Sequence, residues 1–165
     1  MSDSSRVCVV DANILIDLHA GELLREFFRL PLRPMVPDVV LAELDIPDRK
    51  SLLSYGLEEV ELSPAQVQMV VTLLGRYHRP STNDLFALCL AREWGATLLT
   101  GDHHLRDAAV REGVKVHGTL WVLDELVRLG IVVPCRAAQS LEQMRASGGR
   151  LPTAECEKRL LLWRA

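Results

Sequence analysis

The chain has 165 residues, of which 48% are hydrophobic, so it is long enough to bury one core and too short for two ordinary domains. Its charged fraction of 25% is that of an average soluble globular protein. The net charge of -3 gives no sign of a nucleic-acid-binding protein. It does not exclude one, because the carboxylates of a metal site offset arginines that are clustered elsewhere.

The N-terminal sequence MSDSSRVCVV starts with polar residues, and its apolar run is too short for a signal peptide. No stretch approaches the roughly 18 apolar residues of a membrane-spanning helix. The four cysteines show no CxxC spacing, and Cys8 and Cys89 lie in apolar runs, where a free thiol acts as a small hydrophobic group. We therefore expect a cytoplasmic protein with reduced cysteines, no contact with a membrane and a flexible segment at residues 1–5.

The first half of the chain predicts strands that alternate with helices. The apolar run RVCVV at residues 6–10 is suited to a central parallel strand, and ELLREFFRL at residues 22–30 has the broad apolar face of a helix. A second strand is expected at residues 35–37, and Asp38 is expected to cap a helix that continues into VVLAEL. The alternating sequence LEEVELS at residues 57–63 indicates a third strand.

The alternation continues in the second half, where Ser63 followed by Pro64 is typical of a helix start. Gly95 and Gly130 are placed to end two further helices. The predicted elements are a helix at 64–77, a helix at 83–95, a strand at 96–100, a turn and helix at 101–113, a strand at 114–118 and a helix at 119–130. Strands that alternate with helices indicate an α/β fold with a parallel sheet and helices on both faces.

Residues 131–165 differ in character from the rest of the chain. They contain many small and polar residues, a Gly-Gly break at 148–149 and a short amphipathic helix in the sequence TAECEKRLLLWRA. The apolar residues 160–163 of this helix require cover, either from the same domain or from the partner of a dimer. We therefore predict a domain at residues 6–130 and a C-terminal helical extension at residues 131–165.

Two carboxylates follow predicted strands. Asp11 comes after the strand at 6–10, and Asp102 comes after the strand at 96–100. In open parallel sheets, ligands bind at the carboxyl ends of the strands. Asn13 is placed to orient the Asp11 carboxylate or to hold a water. A simple turn role stays open for all three residues, because Asp and Asn are also common in turns.

Two further carboxylates lie on predicted helices. Glu43 is in the apolar segment PDVVLAEL, and Asp84 opens its helix after Ser81 and Thr82. Asp84 is either an N-terminal cap or a metal ligand, and Ser81 or Thr82 can supply the cap instead. Glu43 is either a site residue or a solvated position at the end of its helix.

Together, the four carboxylates can converge on one crevice. Hard oxygen ligands without a nearby Cys-His pairing favour Mg²⁺ or Mn²⁺ over zinc. His103 and His104 do not change this expectation, because adjacent residues on a helix point in different directions. An acidic site of this kind predicts metal-dependent phosphodiester chemistry.

Four motifs, in this order, resemble the PIN-domain ribonucleases, a family that includes the toxins of VapBC-type toxin–antitoxin pairs. They are VVDANILIDL, VLAEL, DLFALCLAREWGATLLTGD and VKVHGTLWVLDEL, and they lie within residues 6–130. The resemblance implies a Rossmann-like, three-layer α/β/α fold and an endoribonuclease that depends on Mg²⁺ or Mn²⁺. It also implies RNA as the substrate, an antitoxin protein as a candidate partner and a homodimer as the expected assembly.

The resemblance assigns roles to individual residues. The residues that match the family are the catalytic, metal-binding carboxylates Asp11, Glu43, Asp84 and Asp102, and the supporting polar residues Asn13 and Thr100. Candidates for contact with the RNA backbone are Arg76, Arg79, His103 and Arg106, each of which is otherwise a solvated surface charge. Because aromatic residues make up only 5% of the chain, platforms for base stacking are not expected.

Two other functional classes compete with the nuclease. A catalytically silent PIN-like module that binds RNA or protein keeps the fold without the reaction, and a complete set of four carboxylates is evidence against it. A phosphatase with an aspartyl nucleophile needs a second Asp two residues after the first, where this chain has Asn13. No glycine-rich dinucleotide motif and no P-loop motif is present.

Overall fold

A computed structural model of the chain describes residues 6–165, so the predicted flexible segment 1–5 lies outside the described residues. Over the described range the strands are β1 Arg6–Val10, β2 Leu32–Pro37, β3 Glu58–Val60, β4 Thr97–Leu99 and β5 Val116–His117. The helices are α1 Ala12–Ala20, α2 Leu24–Phe27, α3 Asp38–Ala42, α4 Arg49–Tyr55, α5 Pro64–Arg76, α6 Thr82–Glu93, α7 His103–Arg111, α8 Thr119–Arg128, α9 Pro134–Ala146 and α10 Thr153–Trp163. No helix of this range is long and apolar enough to cross a bilayer.

The strands of the described chain form one parallel sheet in the order β3-β2-β1-β4-β5. β1 lies at the centre and pairs with β2 on one side and with β4 on the other. The chain therefore runs outward from β1 twice, first through β2 and β3 and then through β4 and β5. The order of strands reverses between β1 and β4, and such a point opens a crevice at the carboxyl ends of the strands.

The two faces of β1 belong to two separate apolar cores. Cys8 and Val10 face a core that is shared with α1, α2, α8, α9 and α10, whereas Val9 faces a core that is shared with α5, α6 and α7. Successive side chains of a strand point to opposite faces, so a strand that is covered on both sides needs an uninterrupted apolar run. This three-layer α/β/α arrangement confirms the predicted fold class.

Several helices depart from the sequence-based predictions. The predicted helix at 22–30 is only the four-residue α2. It cannot include Glu22, whose φ of 57° is left-handed and incompatible with a right-handed helix. The residues after Asp11, for which a turn had been considered, form the helix α1. The helices α4 and α9 were not predicted individually. Asp38 is the first residue of α3 and not its cap.

The last two helices pack on the rest of the chain. α9 lies against α1 and α8, and α10 lies against α9. Leu160 and Trp163 are buried in the core next to α1, whereas Leu161 and Leu162 are 77% and 71% exposed. Arg159 also binds α10 to α8, because its guanidinium donates two hydrogen bonds to Asp124, at 2.9 and 2.7 Å. This packing fixes the turn between α9 and α10 relative to α1.

Candidate active site

Asp11 lies directly after β1, at the carboxyl edge of the sheet. Its backbone N–H donates to the Leu99 carbonyl at 2.9 Å, so hydrogen bonding to β4 continues to this residue. Its carboxylate caps α1: Oδ1 accepts from the Ala12 N–H at 2.8 Å, and Oδ2 accepts from the Thr100 hydroxyl at 2.8 Å. The residue is only 5% exposed. One side chain therefore combines the capping role that the sequence left open with a place in the β1–β4 crevice.

The Asp11 carboxyl holds its proton more tightly than an ordinary aspartate does. Burial is the main cause, because an ionised carboxylate is poorly solvated there, and it raises the pKa to about 6. The negative charges of Asp84 and Asp102 add to this rise, while the hydrogen bonds from Thr100 and Ala12 oppose it. A raised pKa of this kind marks a carboxylate whose charge the protein alone does not fully compensate.

Thr100 and Asn13 fix the loop after β4 against the start of α1. Thr100 is fully buried, and its hydroxyl donates to Asp11 and accepts from the Asp102 N–H at 3.0 Å. The side-chain carbonyl of Asn13 accepts from the Gly101 N–H at 3.2 Å. Asp102 is thereby held at the N-cap of α7, where its Oδ1 accepts a backbone N–H of the first turn at 2.8 Å.

Asp84 is the third residue of α6, and Glu43 closes α3. Ser81 caps α6 in a capping box: Ser81 Oγ accepts from the Asp84 N–H at 3.1 Å, and Asp84 Oδ2 accepts from the Ser81 N–H at 2.8 Å. Glu43 is exposed at the end of α3, which packs against α6. Burial raises the pKa of Asp84, and repulsion from Asp102 and Glu43 adds to the rise. Asp84 therefore serves the helix cap and faces the charges of the other carboxylates.

The four carboxylates form one group of mutually repelling charges. Asp11 is repelled by Asp84 and Asp102, and Asp84 is repelled by Asp102 and Glu43. Within residues 6–165, however, no three His, Cys, Asp or Glu side chains form a group that could hold a metal ion. Mg²⁺ keeps several of its waters in proteins and needs only one or two carboxylates. The hard oxygen donors therefore fit a hydrated divalent cation and do not form a closed protein cage.

Comparison with known proteins identifies the family. A family model described as "DUF3368: PIN domain" matches residues 7–164. The chain belongs to this PIN-domain family. The match continues past residue 130 and includes α9 and α10, which lie outside the four motifs of the sequence. PIN domains are generally nucleases.

Among solved structures, this PIN domain is similar to a PilT N-terminus domain protein, SSO1118, from the hyperthermophilic archaeon Sulfolobus solfataricus P2. The two are 17% identical, and the match covers 72% of this chain and 91% of that chain, with a TM-score of 0.48. No curated protein matches the chain.

A cavity of about 620 Å³ opens beside Asp102 of the PIN domain, and we call it the acidic cavity; Asp11, Glu43 and Asp84 are not part of its wall. Asn13 and Asp102 line it together with Asp17, a residue that the sequence analysis missed. Asp17 Oδ2 accepts from the Thr119 hydroxyl at 2.8 Å; burial raises its pKa, and the bond from Thr119 opposes the rise. Asn13 and Asp17 are four residues apart and therefore lie on one face of α1. If a helix had been predicted for this segment, the spacing would have placed Asp17 next to Asn13.

The turn between α9 and α10 supplies another part of the acidic cavity. Gly149 approaches its neighbours so closely that a Cβ there would lie 2.8 Å from the Met144 carbonyl and 3.2 Å from Asp17 Oδ1. Arg150 follows it and lines the cavity. Arg150 was not predicted as a site residue, since nothing in a Gly-Gly turn indicates which part of the fold the turn will approach.

Two of the predicted RNA contacts lie next to Asp102. His103 and Arg106 are on the first turn of α7, directly after Asp102. His103 lines the acidic cavity, and its Nε2 is 3.5 Å from the Asp107 carboxylate. Arg106 lines a neighbouring cavity, whose wall also includes Gly101. Both residues therefore lie at the carboxyl edge of the sheet, on the first turn after Asp102.

The other two predicted RNA contacts lie elsewhere. Arg76 and Arg79 line a separate cavity of about 380 Å³, which shares only His104 with the acidic cavity. Arg76 forms an ion pair with Glu112, which also accepts from the Tyr77 hydroxyl at 2.7 Å. The Arg76 charge is therefore partly compensated within the protein.

Proposed function

We propose that this PIN domain is a metal-dependent endoribonuclease that hydrolyses the phosphodiester bonds of RNA. The observation that carries the proposal is the buried Asp11 carboxylate, which lies at the β1–β4 crevice and is repelled by Asp84 and Asp102. Several like charges at a partly buried site cost free energy unless a cation compensates them. Membership of a family whose members are generally nucleases supports the same chemistry.

Mg²⁺ or Mn²⁺ would keep several of its waters and would be held by one or two of the four carboxylates Asp11, Glu43, Asp84 and Asp102. The cation would neutralise charge on the scissile phosphate and lower the pKa of the attacking water. Thr100 orients the Asp11 carboxylate by donating to Oδ2. Glu43 is exposed and accepts no hydrogen bond from residues 6–165, so it is free to position the water, with Asp84 as the alternative.

Two basic residues of α7 bind the substrate in this mechanism. His103 and Arg106 lie one and four residues after Asp102, so the first turn of α7 presents them next to the carboxylates. Contacts of this kind hold phosphates and do not read bases. They keep the RNA backbone at the carboxyl edge while the carboxylates act on one of its bonds.

Cleavage of a mixed panel of structured and single-stranded RNAs, with Mg²⁺, Mn²⁺ or EDTA, tests the proposal. We expect the wild type to cleave with either cation and not with EDTA, and Asp11→Asn to fold without cleaving. Asp48→Asn is the matched control, because Asp48 caps α4 through Ser51 at an exposed position and Asn caps a helix equally well. A pure, folded Asp11→Asn protein that still cleaves RNA contradicts the proposal.

A catalytically silent module that binds RNA or protein is the second candidate. The observation that favours it is that no group of three metal-binding side chains is formed within residues 6–165. It predicts that the same panel of RNAs is bound but left uncut with every cation. Cleavage that EDTA abolishes excludes this candidate.

We also propose that the toxin branch of the family indicates the partners. An antitoxin would insert a basic side chain among the carboxylates, and a second copy of the chain would pair through the exposed Leu161 and Leu162 of α10. Sedimentation equilibrium of the wild type and of a Leu161→Glu, Leu162→Glu variant tests the homodimer. Co-purification with the product of a short reading frame directly upstream tests the antitoxin.

The buried free thiols of Cys8 and Cys156 support a cytoplasmic location.

A further inference from the structure

A second cavity, of about 650 Å³, adjoins the acidic cavity on the side of β5 and α8, and we call it the side cavity. The walls of the two cavities share Gly101, His103 and Arg150. An RNA strand whose scissile phosphate lies at Asp102 can therefore extend a neighbouring nucleotide into the side cavity. Its volume lies within the range of about 300–1,000 Å³ that is typical of small-ligand sites.

Two aromatic rings stack in the wall of the side cavity. His117, at the end of β5, and Trp121, on the first turn of α8, lie parallel, with ring centroids 4.2 Å apart and planes at 4°. Burial lowers the pKa of His117, and the charges of Lys115 and Arg106 lower it further, so the imidazole is neutral at physiological pH. A neutral, parallel ring pair offers the kind of π surface on which nucleic-acid bases stack.

Two arginines of the same wall have no ion-pair partner within residues 6–165. They are Arg106 and Arg150. Arg106 lies over Gly118, and its Nη2 is 2.9 Å from the position that a Cβ on this glycine would take. Arg159, by contrast, is bound to Asp124 and belongs to the frame of the cavity. An uncompensated guanidinium with several donors suits a phosphate group.

We propose that the side cavity is a nucleotide subsite, in which an unpaired RNA base stacks on the His117–Trp121 pair while Arg106 and Arg150 bind the adjoining phosphate. The proposal rests on the proposed ribonuclease function and adds a preference for single-stranded RNA to it. A base inside a duplex is already stacked and paired, whereas the base of a single strand can turn out into a pocket. The low aromatic content of the sequence did not predict this platform, which needs only two rings in the right place.

Binding of a fluorescent single-stranded RNA by the Asp11→Asn protein in EDTA tests the stacking, because cleavage then plays no part. Trp121→Leu removes the π surface but keeps apolar bulk against the core, and we expect it to weaken binding about tenfold. Trp121→Phe should restore most of the affinity. Trp94→Leu is the matched control, because Trp94 is 43% exposed after the last turn of α6, at the opposite edge of the sheet, and it should leave the affinity unchanged.

The salt dependence of binding tests the phosphate contact separately. Arg150→Ala removes one cation, so the slope of log K against log salt concentration should become shallower by about 0.7 for a single strand. Arg150 lies in an exposed turn, and this test does not depend on the packing of Trp121. Arg29→Ala is the control, because Arg29 is exposed ahead of β2, at the amino edge of the sheet, and its removal should leave the slope unchanged.

The outcomes separate this proposal from the ribonuclease itself. Equal RNA affinities of the Asp11→Asn protein with and without Trp121→Leu or Arg150→Ala overturn the nucleotide subsite. If the wild type nevertheless cleaves RNA, the proposed ribonuclease function is retained without the subsite. If the wild type does not cleave but both variants bind RNA weakly, the nuclease fails and the cavity stands as an RNA-binding site. If Trp121→Leu does not fold, the affinity and salt slope of Arg150→Ala decide.

Discussion

The Thr100 hydroxyl donates to Oδ2 of Asp11 at 2.8 Å, across the crevice between β4 and β1. The two residues are 89 positions apart in the sequence. The same hydroxyl accepts from the Asp102 N–H at 3.0 Å, so one buried side chain sets the positions of two carboxylates. The carboxyl edge of this PIN domain is therefore preorganised around a neutral residue.

Thr100→Val removes this hydroxyl but keeps the shape of the side chain. The Asp102 N–H loses its acceptor and Asp11 loses a donor, so the free energy of unfolding should fall by about 1–3 kcal/mol. Loss of the bond also raises the pKa of Asp11 further, since the bond from Thr100 lowers it. We expect RNA cleavage to slow by about tenfold or more. Urea unfolding measures the effect on stability, and cleavage rates measure the effect on catalysis. Thr100→Ser keeps the hydroxyl and should retain the wild-type stability and cleavage rate. A Thr100→Val variant that cleaves at the wild-type rate contradicts the role of Thr100 in orienting Asp11.

We expect the Asp11 carboxylate to lower the stability of the folded protein at neutral pH. Folding raises its pKa from 3.8 to about 6, so the folded state binds the proton more tightly than the unfolded state. Stability therefore falls as the pH rises through this window, and the cost above it is on the order of 3 kcal/mol. Asp11→Asn should be more stable than the wild type at about pH 7 and should lose this advantage below about pH 4. Urea unfolding in EDTA at both pH values measures the free energy of unfolding of the two proteins. A difference between them that is the same at both pH values contradicts the raised pKa of Asp11.

A divalent cation should offset the same cost. Mg²⁺ or Mn²⁺ at about 100 times its Kd adds about 2.7 kcal/mol to the free energy of unfolding. We expect the cation to raise the Tm of the wild type and of Asp48→Asn, and EDTA to reverse the rise. An equal rise in Asp11→Asn shows that the cation binds away from the carboxylates.

Gly118→Ala tests the position of Arg106 without disturbing the fold. The backbone of Gly118 has a φ of -110°, which alanine adopts freely, and the new Cβ would meet the flexible end of Arg106 at 2.9 Å. Stability should change by no more than about 0.5 kcal/mol. The guanidinium must move, so KM for RNA should rise about fivefold with kcat little changed. Gly75→Ala is the control, because nothing outside the backbone of its own helix turn lies within 4 Å of its Cβ position. A KM that rises equally there contradicts the role of Arg106.

Local signals in the sequence are enough to predict most of the sheet and the capped helices. After Arg6, β1 is an uninterrupted apolar run, and α5 and α6 are capped by Ser63 and Ser81, each in a capping box. Parallel strands carry the residues that follow them to one edge, so Asp11 and Asp102 could be placed there without coordinates. The same local view missed α1, because the aspartate that begins this helix has the side chain of a turn residue.

Long-range packing settles which side chains share a wall. Arg76 is partly neutralised by Glu112, 36 positions away, and Arg150 reaches the site only because α9 and α10 pack beside α1 and α8. His117 and Trp121 are close in the sequence, but they become a platform only where the side cavity opens beside them. Caps and strand ends depend on a few adjacent residues, whereas these contacts depend on elements that meet only in the folded chain.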